Sequence, residues 1–183
     1  VLGGVAKEAW TFPVLLNSNA TTDSDHDRAP QVVTDGAGTW VTVWTTADDG
    51  LGFGGDPDVF CSRSTDNGAH WSAMIPLNST ASTDTRDDLD PRIAADGLGN
   101  WVAVWSSREP YRGSNTDPDI FCSRSSDGGA TWGVVGLLNT NAVTGGSPDY
   151  RPQIATDFAG NWVTVWESFE KNVSPSIYDS FDI

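Results

Sequence analysis

The sequence predicts an all-β chain of repeated four-stranded units, and three observations carry that prediction. The nine tryptophans form a grid: Trp10, Trp71 and Trp132, then Trp40, Trp101 and Trp162, then Trp44, Trp105 and Trp166, each set spaced by 61 residues. The same interval relates Cys61 to Cys122, Asp56-Pro57-Asp58 to Asp117-Pro118-Asp119, Asn17 to Asn78 and Asn139, and Asp35 to Asp96 and Asp157. Apolar residues alternate with a period of two in short runs between Gly/Asp turns, with no helical stretch. Such a repeat is read before anything else. From each first tryptophan the units are 10–70, 71–131 and 132–183, with lengths 61, 61 and 52, and nine residues precede Trp10. We read 1–183 as a single half-propeller of three whole periods, the 1–9 segment completing the third.

Four strands are expected per period. The first is VVTD at 32–35, RIAAD at 92–96 and QIATD at 153–157. A Gly-containing turn (DGAGT, DGLGN, DFAGN) leads to the second, WVTVW or WVAVW, where alternation puts both tryptophans on one face and both valines on the other. The third is DVFCSRS at 58–64 and DIFCSRS at 119–125, with SIYDS at 176–180 in its place in the last unit. The fourth is expected to start at the tryptophan, in WTFPVLLN, WSAMIPLN and WGVVGLLN. Four antiparallel strands in about 60 residues suit one blade of a β-propeller, with a solenoid or a sandwich as the alternative. Tryptophans at fixed positions argue for packing between blades. Cys61 and Cys122, on equivalent strands, are expected to be buried free thiols, too far apart for the roughly 6 Å Cα separation of a disulfide.

Between third and fourth strands stand Ser64-Thr65-Asp66-Asn67-Gly68-Ala69-His70-Trp71 and Ser125-Ser126-Asp127-Gly128-Gly129-Ala130-Thr131-Trp132. In each, a short carboxylate is placed to accept hydrogen bonds from its own turn, glycine supplies positive φ, and tryptophan anchors the turn. Both fit SxDxGxxW, and the pattern resembles the Asp-box, or bacterial neuraminidase repeat, of the sialidase-like β-propellers. The resemblance covers essentially the whole chain. It implies that Ser64, Asp66, Gly68, Trp71, Ser125, Asp127, Gly129 and Trp132 hold the fold, on the face opposite a functional site. His26 and His70 show no partner that points to a switch or a ligand.

Three blades do not close a propeller, which usually has about four to eight. Two copies supply six, the number the resemblance implies. We therefore expect a six-bladed homodimer in which each chain's amino-terminal strand completes its partner's last blade and covers exposed edges. An excised fragment of a longer chain is the alternative.

Propeller connectivity sends the loops after strands one and three to a repetitive face, and those after strands two and four to a face that varies between units. A sialidase of the resembled family needs an arginine triad, a tyrosine nucleophile paired with glutamate, and an aspartate acid/base. Arg92 in Pro91-Arg92-Ile93 matches the family's first arginine only in part, and Gln31 and Gln153 occupy its position in the other units. Arg108, Glu109 and Arg112 flank Tyr111, while Tyr150 also falls on the variable face. We assign no catalytic residue. The reading is a non-catalytic module for glycan binding or assembly, using Arg92, Arg108, Tyr111, Arg112, Gln31 and Gln153 with an aromatic such as Tyr111 or Phe53. The alternative is a sialidase-like glycoside hydrolase whose site forms at the channel of the assembled propeller.

The net charge of -15, from 25 acidic and 10 basic residues, repels phosphate backbones and anionic membranes, so neither nucleic acid nor a membrane is an expected partner. No apolar run nears the roughly 18 residues of a membrane span, and VLGGVAKEAW lacks the pattern of a signal peptide. Secretion is expected from the family and the acidic, Lys-poor composition. No cofactor is required by this reading. The clusters Asp23, Asp25, Asp27 and Asp84, Asp87, Asp88, Asp90 carry the hard oxygen ligands that calcium prefers, although EF-hand spacing is missing and loop carboxylates kept for solubility are the alternative. Asp56, Asp58, Asp117 and Asp119, in Asp-Pro-Asp runs that recur at strand entry, point to a turn role or a repeated weak cation site.

Overall fold

The computed structural model describes residues 15–16, 26–47, 52–78, 80–110, 117–139 and 147–169. These contain ten strands and no helix: β1 Arg28–Thr34, β2 Trp40–Thr46, β3 Asp58–Ser64, β4 Ile75–Pro76, β5 Asp88–Ala95, β6 Trp101–Ser107, β7 Asp119–Ser125, β8 Gly136–Leu137, β9 Asp149–Thr156 and β10 Trp162–Ser168. Two antiparallel sheets run β1-β2-β3-β4 and β5-β6-β7-β8, and β9 pairs with β10. The expected SIYDS strand and Trp10 lie outside the described residues.

The turn between first and second strands is built by one carboxylate. Asp35 Oδ1 accepts from the amides of Ala37 (2.8 Å) and Thr39 (3.0 Å). Asp96 does the same for Leu98 and Asn100, and Asp157 for Ala159 and Asn161. Val, Thr and Trp then favour the pleated second strand.

Two elements differ from the sequence reading. The first strands begin four residues earlier than the alternation indicates, because each absorbs a proline through a bulge. Ala29, Asp90 and Arg151 adopt φ of 50°, 54° and 49°, immediately before Pro30, Pro91 and Pro152, and the register shifts there. The fourth strands are only two residues long and start four residues after Trp71 and Trp132. Ser72 and Gly133 each donate one bond to the preceding strand, to the carbonyls of Arg63 and Arg124, and the chain then leaves the ladder until Ile75 and Gly136. Leu15 and Leu16, the described part of the strand expected at 10–17, are not in a sheet.

The sheets stack in chain order, with β5 against both β1 and β9. Register puts Val41, Val43, Val59 and Cys61 on one face of the first sheet, and these pack on Trp101, Ala103, Trp105 and Phe121 of the second. Val102, Val104 and Cys122 on the second sheet's other face meet Ile154 and Trp162 of the third. One rule therefore operates twice: the valine face of a blade receives the tryptophan face of the next. Trp101 and Trp105 are fully buried. Each such ring removes about 200 Å² from water, worth roughly 5 kcal/mol before entropy is subtracted. Cys61 and Cys122 are buried free thiols, and burial pushes Cys61 up to about 12. The fold is an all-β stack of propeller blades.

Candidate functional site

On the repetitive face the two SxDxGxxW turns are closed units. Ser64 Oγ donates to Asp66 Oδ1 (2.8 Å) and accepts from Gly68 N (2.9 Å). Asp66 Oδ1 also accepts from His70 N (2.8 Å), and its Oδ2 lies 2.6 Å from His70 Nδ1. His70 thus has a partner, unlike the sequence reading; four residues of turn bring its ring back over the carboxylate. Trp71 Nε1 donates to Gly68 O (3.1 Å). In the second copy Ser125 repeats the role of Ser64, and Thr131 donates to Asp127 through both its amide (2.9 Å) and its hydroxyl (2.6 Å). Donors from His70, its backbone amide first, hold Asp66 down to about 2, and Thr131 and Ser125 hold Asp127 well below the carboxylate range. Each turn is bonded to its blade's Gly turn, Asn67 N to Gly38 O and Gly128 N to Gly99 O. Arg63 Nε reaches across to Gly128 O (2.6 Å) and joins the first blade to the second.

The other face is built from buried carboxylates at the junctions between blades. Asp88 N donates to Pro57 O and Asp149 N to Pro118 O, both at 2.7 Å, so the first strand of each following blade is tied to the loop of the one before. Asn78 Nδ2 donates to Asp58 Oδ1 (2.8 Å). Asn139 Nδ2 bridges Asp119 Oδ1 (2.7 Å) and Asp149 Oδ2 (2.6 Å). All six side chains are buried. Burial pushes Asp58 up to about 7 and Asp119 up to about 6, and raises Asp88 and Asp149 as well. The sequence reading missed Asp88 and Asp149 as junction residues. The signal was present, since Asp27, Asp88 and Asp149 also keep the 61-residue interval.

The candidate cation residues divide between the two junctions. Asp56 and Asp58 come together with Asp84, one carboxylate oxygen of each lying within 4.8 Å of the others. Asp119 is engaged by Asn139, with Asp117 nearby as a repelling charge. Position 145, which matches Asp84 in the repeat, is a glycine.

The candidate ligand residues are dispersed. Arg92 Nη1 and Gln31 Nε2 fold back onto the carbonyls of Pro91 (2.8 Å) and Pro30 (2.7 Å). Arg108 stands 3.9 Å from Asp87, and Gln153 is exposed. Tyr111 and Arg112 lie outside the described residues. A feature not anticipated is the pairing of Tyr150 with Glu167 across β9 and β10, where Arg151 Nη1 holds Glu167 at 3.0 Å. Between the outer edges of the first two blades runs a groove of about 340 Å³, lined by Phe53, Leu77, Ser82, Thr131 and Trp132 among others. Phe53 is fixed edge-on against Phe60, ring centroids 5.2 Å apart.

No family model matches the sequence, and no curated protein matches it. Among solved structures, the Hadza microbial sialidase Hz136 shares the fold at a TM-score of 0.50 and 18% identity, over 79% of this chain and 39% of that one. The NanB sialidase of Streptococcus pneumoniae, solved with 2-[(3-chlorobenzyl)ammonio]ethanesulfonate, does so at a TM-score of 0.55 and 11% identity, over 87% of this chain and 47% of that one. The chain spans less than half the length of either sialidase. What it has in common with them is the fold, a sialidase-like β-propeller architecture.

Proposed function

We propose that the chain is a glycan-binding, non-catalytic member of the Asp-box propellers. The observation that carries this is the groove between the first two blades, where Phe53 and Trp132 offer ring surface beside the hydroxyl of Ser82 and that of Thr131, whose proton goes to Asp127 and whose oxygen can still accept. A pyranose presents an apolar face and a rim of hydroxyls, and rings flanked by polar groups meet both. A glycan array probed with the full chain tests the reading. Binding to a defined set of sugars that drops on Phe53→Ala supports it; no binding, or binding that Phe53→Ala leaves unchanged, argues against it.

One observation favours the alternative, a sialidase-like hydrolase: the cross-strand Tyr150 and Glu167 with Arg151 beside them. Turnover of a fluorogenic sialoside, lost on Tyr150→Phe, would move the assignment to an enzyme.

We also propose that the chain associates with a second copy, and that the product acts outside the cell. The third blade's valine face supports association, because Val163 is 62% exposed where its counterparts Val41 and Val102 are buried under tryptophans.

A further inference from the structure

We propose that Asp56, Asp58 and Asp84 bind a calcium ion that ties the loop before β3 to the loop before β5. The inference is independent of the glycan reading. Oδ2 of Asp56, Oδ2 of Asp58 and Oδ1 of Asp84 are all buried, and among the described residues none has a hydrogen-bond donor. The three carboxylates fall within 4.8 Å of one another, the span of oxygens on opposite sides of an ion ligated at about 2.4 Å.

An acidic cluster alone would carry little, but two further features point inward. Asp58 has no exposed surface at all, and its Oδ2 is without a hydrogen-bond partner among the described residues; Asp88, only 2% exposed and hydrogen-bonded to Ser107, lies near enough for Asp58 and Asp84 to repel its charge. The charges that act most strongly on Asp56 are Asp84 and Asp87, and on Asp58 they are Asp84 and Asp56, all negative. Unpaired charge buried this way costs several kcal/mol unless a counterion compensates it. Gly54, at φ +97°, supplies the second feature. A Cβ there would stand 2.8 Å from Asp56 Oδ1, with the carbonyl oxygens of Asp84 and Ala81 at 3.5 and 3.8 Å. Glycine therefore leaves room for Asp56 Oδ1 and two backbone carbonyl oxygens around one point of this loop. Hard oxygen donors without histidine or thiolate select calcium over zinc.

The test is calorimetric titration of Ca²⁺ into the full chain after chelator treatment, without sugar, alongside thermal unfolding with and without the ion. One equivalent is expected to bind and to raise the unfolding temperature. Asp84→Asn should weaken binding roughly tenfold or more by removing one ligand charge, while the ion-free protein unfolds at the same temperature or higher because repulsion is relieved. Asp56→Asn, checked for folding by circular dichroism, should behave alike. No binding up to about 1 mM Ca²⁺, the weak end of calcium sites, overturns the proposal. So does binding that both variants leave unchanged.

Discussion

At the scale of single residues, Asp66 and Gly129 show two ways in which one side chain secures a turn. Asp66 is held down to about 2 by donors from His70 and Ser64, so its bonded form is favoured in the folded state. Stability from a depressed carboxylate is complete above its unfolded value, near 3.8, and is lost as pH falls through about 2. Fluorescence of the Trp71 turn, or its cleavage by an acid-active protease, should report loosening within that window. His70→Ala keeps the backbone donor but removes the ring, so the transition should move to higher pH without disappearing. Gly129 is required for a different reason: φ is 78°, and a Cβ would sit 2.7 Å from Val41 Cγ2 of the neighbouring blade. Gly129→Ala should cost about 2–3 kcal/mol in denaturant unfolding. Gly36→Ala, at φ 76° with nothing within 4 Å, should cost only about 1 kcal/mol of backbone strain.

At the scale of elements, the second strands are the stiff members of each blade and the fourth strands the weak ones. β6 is buried along its whole length because its valines face one neighbouring sheet and its tryptophans the other. Trp105→Ala, which empties a fully buried site, should destabilise by about 3–5 kcal/mol. Trp162→Ala on half-buried β10 should cost clearly less, and equal losses from the two would contradict the face-to-face rule. β4 and β8 hold two residues each, since Pro76 has no amide to donate and Gly136 no side chain to pack. The bulges at Ala29, Asp90 and Arg151 set three unlike side chains on like backbone. That is how a repeat supplies different chemistry at one position in successive blades, and only Arg151 has drawn a carboxylate, that of Glu167.

For the whole molecule, the stacking rule predicts association. The third blade leaves Val163 62% exposed, and Val32 on the first blade's tryptophan face is 55% exposed. A second copy meeting these surfaces would continue the valine-on-tryptophan order across the contact. Sedimentation equilibrium should then give about twice the single-chain 19.5 kDa, and Val163→Asp should return it to the single-chain value. A single-chain mass for the unaltered protein would falsify association.

The sequence by itself determined the repeat, the strand-turn-strand order of each blade, the faces of the tryptophans and valines, and the positions of both SxDxGxxW turns. These are local or strictly periodic: Asp66 bonds within four residues, and alternation along β2 and β6 follows from the pleat. Strand ends were less legible, because the bulges before Pro30, Pro91 and Pro152 and the early departure after Trp71 and Trp132 depend on hydrogen bonds that composition does not reveal. The junction carboxylates were decided only by tertiary structure. Asp84 and Asp88 lie close in sequence within an acidic loop that reads either as solvated charge or as calcium ligands, yet Asp88 is buried against Asp58 from the preceding blade while Asp84 meets Asp56. Burial and convergence across a blade boundary are properties of the stack, where desolvation pushes ordinary carboxylates toward their neutral form.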